Sequence, residues 1–182
     1  MKTRQVVIFS GQLYMVPQGI QRIDTKSTHG WQVRYHGTKM FSDHTPDGSG
    51  AGASLARAIK ELLSRIAKLP APVTLQERPS ANKTSDLPSG ISGPIVRQRA
   101  GSRVRDCSFA VTLPRFGETP LARSVYIGTE NTYTIERYQE ALERAVALRE
   151  KAEAVYQRAA TKDRRAQALL LKAKLSTLLG KG

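Results

Sequence analysis

The stretch SVYIGTENTYTIERYQEALERAV, residues 124–146, decides the fold. It passes from a strand carrying an aromatic side chain, through a Gly128-Thr129 corner, into the start of a helix. Thr134 stands where an N-cap hydroxyl satisfies the unpaired amides of a first helical turn. Beyond it Tyr138, Ala141, Leu142, Ala145 and Val146 recur at the helical period and form one apolar stripe. Upstream, Phe109, Val111 and Leu113 alternate with Ser108, Ala110 and Thr112, the period of two expected of a strand with one buried face. The loop PRFGETPLA joins that strand to RSVYIGT, a third strand. A sheet with one apolar face must bury it, and the stripe of the following helix is the nearest cover.

A looser version of the same order occurs earlier. GIQRID opens a short strand, and WQVRY, residues 31–35, alternates so that Trp31, Val33 and Tyr35 share one face. Gln32, Arg34 and His36 fall on the other face. His36-Gly37-Thr38 is a turn, and KMFSD supplies a third strand. After DHTPDGSGAGA, Leu55, Ile59, Leu62, Leu63 and Ile66 make a helical stripe, with Ser54 as its N-cap. Between the two versions, residues 69–88 are rich in Pro, Ser, Thr and Asn, without either period, and read as a linker. The chain is therefore expected to be α+β, with two small domains, each a three-stranded antiparallel sheet packed on one helix. The first spans residues 17–68 and the second 89–150, with 1–16 an arm or strand and 151–182 an additional basic, Leu-rich C-terminal helix. Leu169, Leu170, Leu171, Leu175, Leu178 and Leu179 cover much of that helix's circumference, so it docks on the second domain or makes a homodimer.

Lys and Arg number 29 against 15 Asp and Glu, a formal charge of +14 over 182 residues. That imbalance favours a polyanionic partner, nucleic acid before an acidic membrane. No apolar run approaches the roughly 20 residues that cross a bilayer, so a membrane role is not expected. The start, MKTRQVVIFSGQLYMVP, has polar interruptions and no small-residue cleavage site after it, and reads as a strand or arm rather than a signal peptide. Cys107 is the one cysteine, which excludes an internal disulfide and a four-thiolate zinc site. A cytoplasmic, nucleoid-associated protein of a bacterium or its phage is the expected setting.

The residues of the two versions resemble the APETALA2 and ethylene-response-factor type of DNA-binding domain, in its bacterial or phage form. The carriers are Val125, Tyr126, Ile127, Gly128 and Thr129, followed by Glu136, Tyr138 and Ala141, with IVRQR at 95–99 similar to the family's Arg-bearing first strand. In the first version GIQRID, GWQVRY and ASLARAIKELL resemble two strands and the helix, but FSDHTPDG replaces the Leu-Gly-Thr corner. The resemblance implies a non-enzymatic binder of double-stranded DNA that lays sheet faces in the major groove, needing no cofactor. Transcriptional regulation or chromosome organisation is the implied use. A recombination or transposition accessory factor, or a protein-interaction adaptor working through the C-terminal helix, are the alternatives.

On that reading the DNA-facing set is Arg22, Lys26, Gln32, Arg34, His36 and Lys39 in the first domain. In the second it is Arg97, Arg99, Arg103, Arg105, Thr112, Arg123 and Tyr126. Arg pairs with guanine and Gln with adenine in the major groove, while Lys26 and Lys39, with His29 and Ser42, suit phosphates. Other chemistry finds little support. GSGAGAS, residues 48–54, lacks the Gly-Lys-Ser/Thr ending of a nucleotide-binding loop. His29, His36, His44, Asp43 and Asp47 lie in one hairpin, but alternation separates them, so neither a metal nor a nuclease site is expected.

Overall fold

The computed structural model describes the chain except residues 74, 77, 80, 81, 99, 100, 102 and 180–182, and for 175–179 it describes the backbone alone. Two short apolar runs on either side of Gly11 pair as a hairpin, β1 (Thr3–Val7) with β2 (Leu13–Pro17). The turn closes through Gly11, whose φ of 83° suits a residue without a Cβ. Next come β3 (Ile20–Asp24), β4 (His29–Arg34) and β5 (Thr38–Ser42), an antiparallel sheet in the order β3-β4-β5, and then helix α1 (Ala51–Lys68). The second sheet is β6 (Ile91–Gln98), β7 (Arg105–Leu113) and β8 (Leu121–Thr129), also antiparallel and in chain order, followed by α2 (Ile135–Leu179). The α+β class stands. Among the described residues no helix is long and apolar enough to cross a membrane.

The chain divides into two compact units, Met1–Pro72 with Thr161–Gly182, and Val73–Ala160. In the first, Trp31, Val33 and Tyr35 point into the core as their alternation requires, against Leu55, Ala58, Leu62 and Ile66 of α1. Trp31 also donates from Nε1 to the Ala51 carbonyl at 2.8 Å, which fixes the first turn of α1 on the sheet. In the second, Phe109, Val111 and Ile127 pack against Ala141 and Ala145 of α2, flanked by Tyr138, Leu142 and Val146. Phe109 meets the Tyr138 ring edge-on at 5.1 Å. Thr134 caps α2, its hydroxyl accepting from the Arg137 amide at 3.2 Å.

Of the arm or strand expected over the first sixteen residues, the structure has strands: Ile8 and Val16 are buried in the first core, which the β1–β2 hairpin helps to build. The structure departs from the sequence reading in three places. Helix α1 begins after Gly50, so Ser54 is not its cap. The Ser54 side chain lies buried inside the helix and donates to Asp43 Oδ1 at 2.5 Å. The end of the expected linker belongs to the second unit, where Leu87 is buried and Lys83 donates to the carbonyls of Leu87, Pro88 and Ile91 at 2.7, 2.7 and 2.8 Å. Finally, among the described residues the C-terminal stretch is not a separate helix but the continuation of α2. With neither Gly nor Pro from 135 to 179, nothing interrupts strong helix formers, and α2 runs through uninterrupted. Its later part supplies Ala168 to the core of the first unit.

Candidate nucleic-acid interface

Register fixes which side chains each sheet leaves uncovered. In the first sheet Gln21 stands opposite Gln32, and Gln32 opposite Met40, with Arg34 opposite Thr38. These alternate with the buried Trp31 and Val33, so they make up the face turned away from α1. Arg34 is exposed and its Nε donates to Gln32 Oε1 at 2.6 Å, aligning an amide and a guanidinium along one strand. In the second sheet Ser108 stands opposite Tyr126, Ala110 opposite Ser124 and Thr112 opposite Ala122. They alternate with the buried Cys107, Phe109 and Val111 and form the uncovered face, with Arg97 joining it opposite Asp106. Small side chains make most of this surface shallow; Tyr126, 46% exposed, rises from it.

Several residues expected on these faces are elsewhere. Arg22 stands opposite Trp31 and so projects toward the packed side of its sheet. Its side chain is 6% exposed, lies 4.9 Å over the Trp31 ring, and meets Asp24 at 2.7 Å and Asp43 at 2.6 Å. Burial works against the charge, but hydrogen bonds and attraction from Asp24 and Asp43 outweigh it and hold the guanidinium protonated. This is a structural ion cluster. Lys39 stands opposite Val33, also on the packed side, and meets Glu61 of α1 at 3.3 Å. His36 adopts a left-handed φ of 47° at the β4–β5 turn, and its Nε2 lies 2.8 Å from the Pro70 carbonyl oxygen.

In the second unit Arg105 is turned to Glu130, with Nη2 at 2.9 Å, and the hydrogen bonds from the Arg105 backbone and side chain hold the Glu130 carboxyl below the usual range. Arg123 stands opposite Val111, which puts it on the helix side of the edge strand, exposed. Arg103 and Lys26 lie exposed in loops. Arg99 falls outside the described residues. The uncovered faces thus keep Gln32, Arg34, Arg97, Thr112 and Tyr126 of the expected set. Gln21, Ser124 and Ala122 join them; their positions follow from pairing, which a single strand's pattern does not reveal.

Cys107 is buried, and burial pushes its thiol up, which suits an inert core residue. Among the described residues no group of three or more His, Cys, Asp or Glu is placed to hold a metal ion. Comparison of the chain with known protein families, curated proteins and solved structures finds no match in any of the three.

Proposed function

We propose that the chain binds double-stranded DNA, laying the uncovered faces of its two three-stranded sheets in the major groove. One observation carries this reading. Each sheet is sealed on one side by apolar packing and leaves on the other a strip of amide, hydroxyl and guanidinium groups, in a chain of formal charge +14. The major groove is about 12 Å wide and admits a β-ribbon. Gln32 and Arg34 offer the group types that meet adenine and guanine edges, and the low relief around Ser108, Ala110 and Ser124 lets a sheet approach closely. Tyr126 offers a hydroxyl and a ring edge at the middle of that approach.

The arrangement also agrees with the resemblance to APETALA2-type domains, which rests on the same strand and corner residues. Transcriptional regulation or chromosome organisation in a bacterium or phage, without catalysis, belongs to the same proposal. Two linked sheets would gain from effective concentration, so modest affinity at each suffices.

Fluorescence anisotropy with the full chain tests the reading against random duplexes and duplexes enriched by selection. Binding should be evident at about 50 mM salt and fall steeply as salt rises. If Lys26, Arg97 and Arg103 all meet phosphates, the log–log salt slope approaches about −2.7. Arg34→Ala and Tyr126→Ala should each weaken binding about tenfold, a loss of one good contact. A folded chain that ignores every duplex at low salt, or variants that bind as the parent does, would end the proposal.

A further inference from the structure

Beyond DNA, the first unit carries an apolar groove of about 920 Å³ between β2, α1 and the later part of α2. Its floor is Leu55, Ile59 and Leu63 of α1, and its walls include Met15 and Leu169. Met15 is 53% exposed and Leu169 68%, an exposure that a core element does not leave without a partner. Lys60, Arg165 and Lys172 stand among the lining residues, and no carboxylate does. We propose that this groove receives an amphipathic helix with acidic flanks from a partner protein.

The dimensions and charges single out that occupant. From Leu55 to Ile66 the floor extends about 16 Å at 1.5 Å per residue, the length of about three helical turns. Anchors at i, i+4 and i+7 of a docked helix span about 10.5 Å and so fit within that length. The cationic rim favours Glu or Asp flanking those anchors, by complementarity that also speeds encounter. A second copy of this chain would bring the same cationic rim and a formal +14 to the interface, which opposes association. A bilayer is flat and matches a convex apolar ridge rather than a concave groove.

The test uses the full chain and a fluorescein-labelled helical peptide with Leu at i, i+4 and i+7 and Glu at its flanks. One control has the same composition scrambled to destroy the Leu stripe; another has Lys in place of Glu. The striped acidic peptide should bind saturably, and both controls at least about tenfold more weakly. Ile59→Glu, which puts a carboxylate on the floor, should abolish binding. Lys60→Glu should weaken it about tenfold from an exposed position that leaves packing alone. Trp31 fluorescence and circular dichroism verify that both variants stay folded.

Equal binding of striped and scrambled acidic peptides, unaffected by Ile59→Glu, would overturn the proposal as charge attraction without a groove. So would concentration-dependent dimers in sedimentation that Ile59→Glu disperses while no peptide binds, which assign the groove to a second copy. Flotation with anionic phosphatidylglycerol vesicles, lost in Ile59→Glu and again without peptide binding, would assign it to lipid and refute the proposal equally.

Discussion

Replacing Arg22 by Met separates a structural ion cluster from a DNA contact. The Arg22 side chain is 6% exposed and its partners Asp43 and Asp24 are 0% and 22% exposed. Removing one partner of a buried pair costs about 3–5 kcal/mol, because the remaining charge is left without compensation. The lost stacking of the guanidinium over Trp31 adds about 0.5–2 kcal/mol. Two features offset part of this: Met recovers the packing of the aliphatic stem, and Ser54 still donates to Asp43. A loss of about 3 kcal/mol is therefore the expected floor, and a unit of this size loses about 4 °C or more per kcal/mol, so its melting point should drop by about 12 °C or more. Urea unfolding followed by Trp31 fluorescence reads it directly, since the chain has one Trp and it lies in that core.

The pH dependence sharpens the test. In the parent, burial pushes the Asp24 carboxyl up, but hydrogen bonds from Arg22 and His29 and the Arg22 charge hold it below its ordinary value. A depressed carboxylate contributes stability that is complete above its unfolded pKa of about 3.9 and is lost as pH falls through the lower folded value. In Arg22→Met the hydrogen bond and charge of Arg22 are gone and burial is the largest influence left on Asp24, so protonating that carboxylate relieves the variant while the parent is weakening. The deficit should shrink as pH falls. A deficit under about 1 kcal/mol at neutral pH, or one that grows toward acid, would refute the ion-cluster reasoning.

Three further outcomes follow from single contacts. Gly30→Ala would place a Cβ 2.3 Å from the Phe41 carbonyl oxygen, so β4 and β5 must separate; about 1–3 kcal/mol of stability should be lost in the same urea assay. Thr134→Ala removes the hydroxyl that caps α2 and should cost about 1 kcal/mol, read by thermal melting under circular dichroism. Glu130→Gln deletes the carboxylate paired to Arg105 and adds one net positive charge, so duplex DNA binding at low salt should tighten about two- to threefold, and an unchanged affinity would count against charge-driven attraction there.

What the sequence revealed and what it hid follow from one distinction. Alternation that is clean, as in Trp31, Val33 and Tyr35 or in Phe109 and Val111, names the buried face without help, and both stretches are buried as read. Alternation that is mixed does not. Ile20 and Ile23 lie on opposite faces of β3, so only the pairing of Arg22 with Trp31 shows that Arg22 is turned inward. Met40 and Phe41 are adjacent apolar residues, which hid the side on which Lys39 lies. The pairing of β7 with β8 shifts register between Cys107 and Ser108, so Ile127 has no partner in the ladder, while Tyr126 stands opposite Ser108 on the uncovered face and Val125 and Ile127 join the core. The pairing of β1 with β2 is hidden for the same reason, since VVIF and LYMV are apolar at consecutive positions.

Composition hides a second distinction, between the charge of a cation and its freedom to donate. Arg65 donates to the carbonyls of Tyr35 and Gly37, Arg144 to that of Tyr126, Arg149 to that of Thr112, and Arg57 to that of Ser42. Each ties a helix to a strand or turn. A guanidinium held on a neutral carbonyl keeps its full charge, so it still contributes to long-range attraction of a polyanion. Part of its donor fork is engaged there, though, which leaves less of it for a guanine edge. Under the proposed reading, attraction and reading would fall to different residues: carbonyl-bound and loop cations would draw a duplex in, and Gln32, Arg34, Thr112 and Tyr126 would discriminate bases. With one guanidinium on the uncovered strand of the first sheet and hydroxyls dominating the second, discrimination per base pair should lie toward the lower end of the ordinary range of about 1–3 kcal/mol. Non-specific, salt-sensitive binding should therefore form the larger share of the affinity.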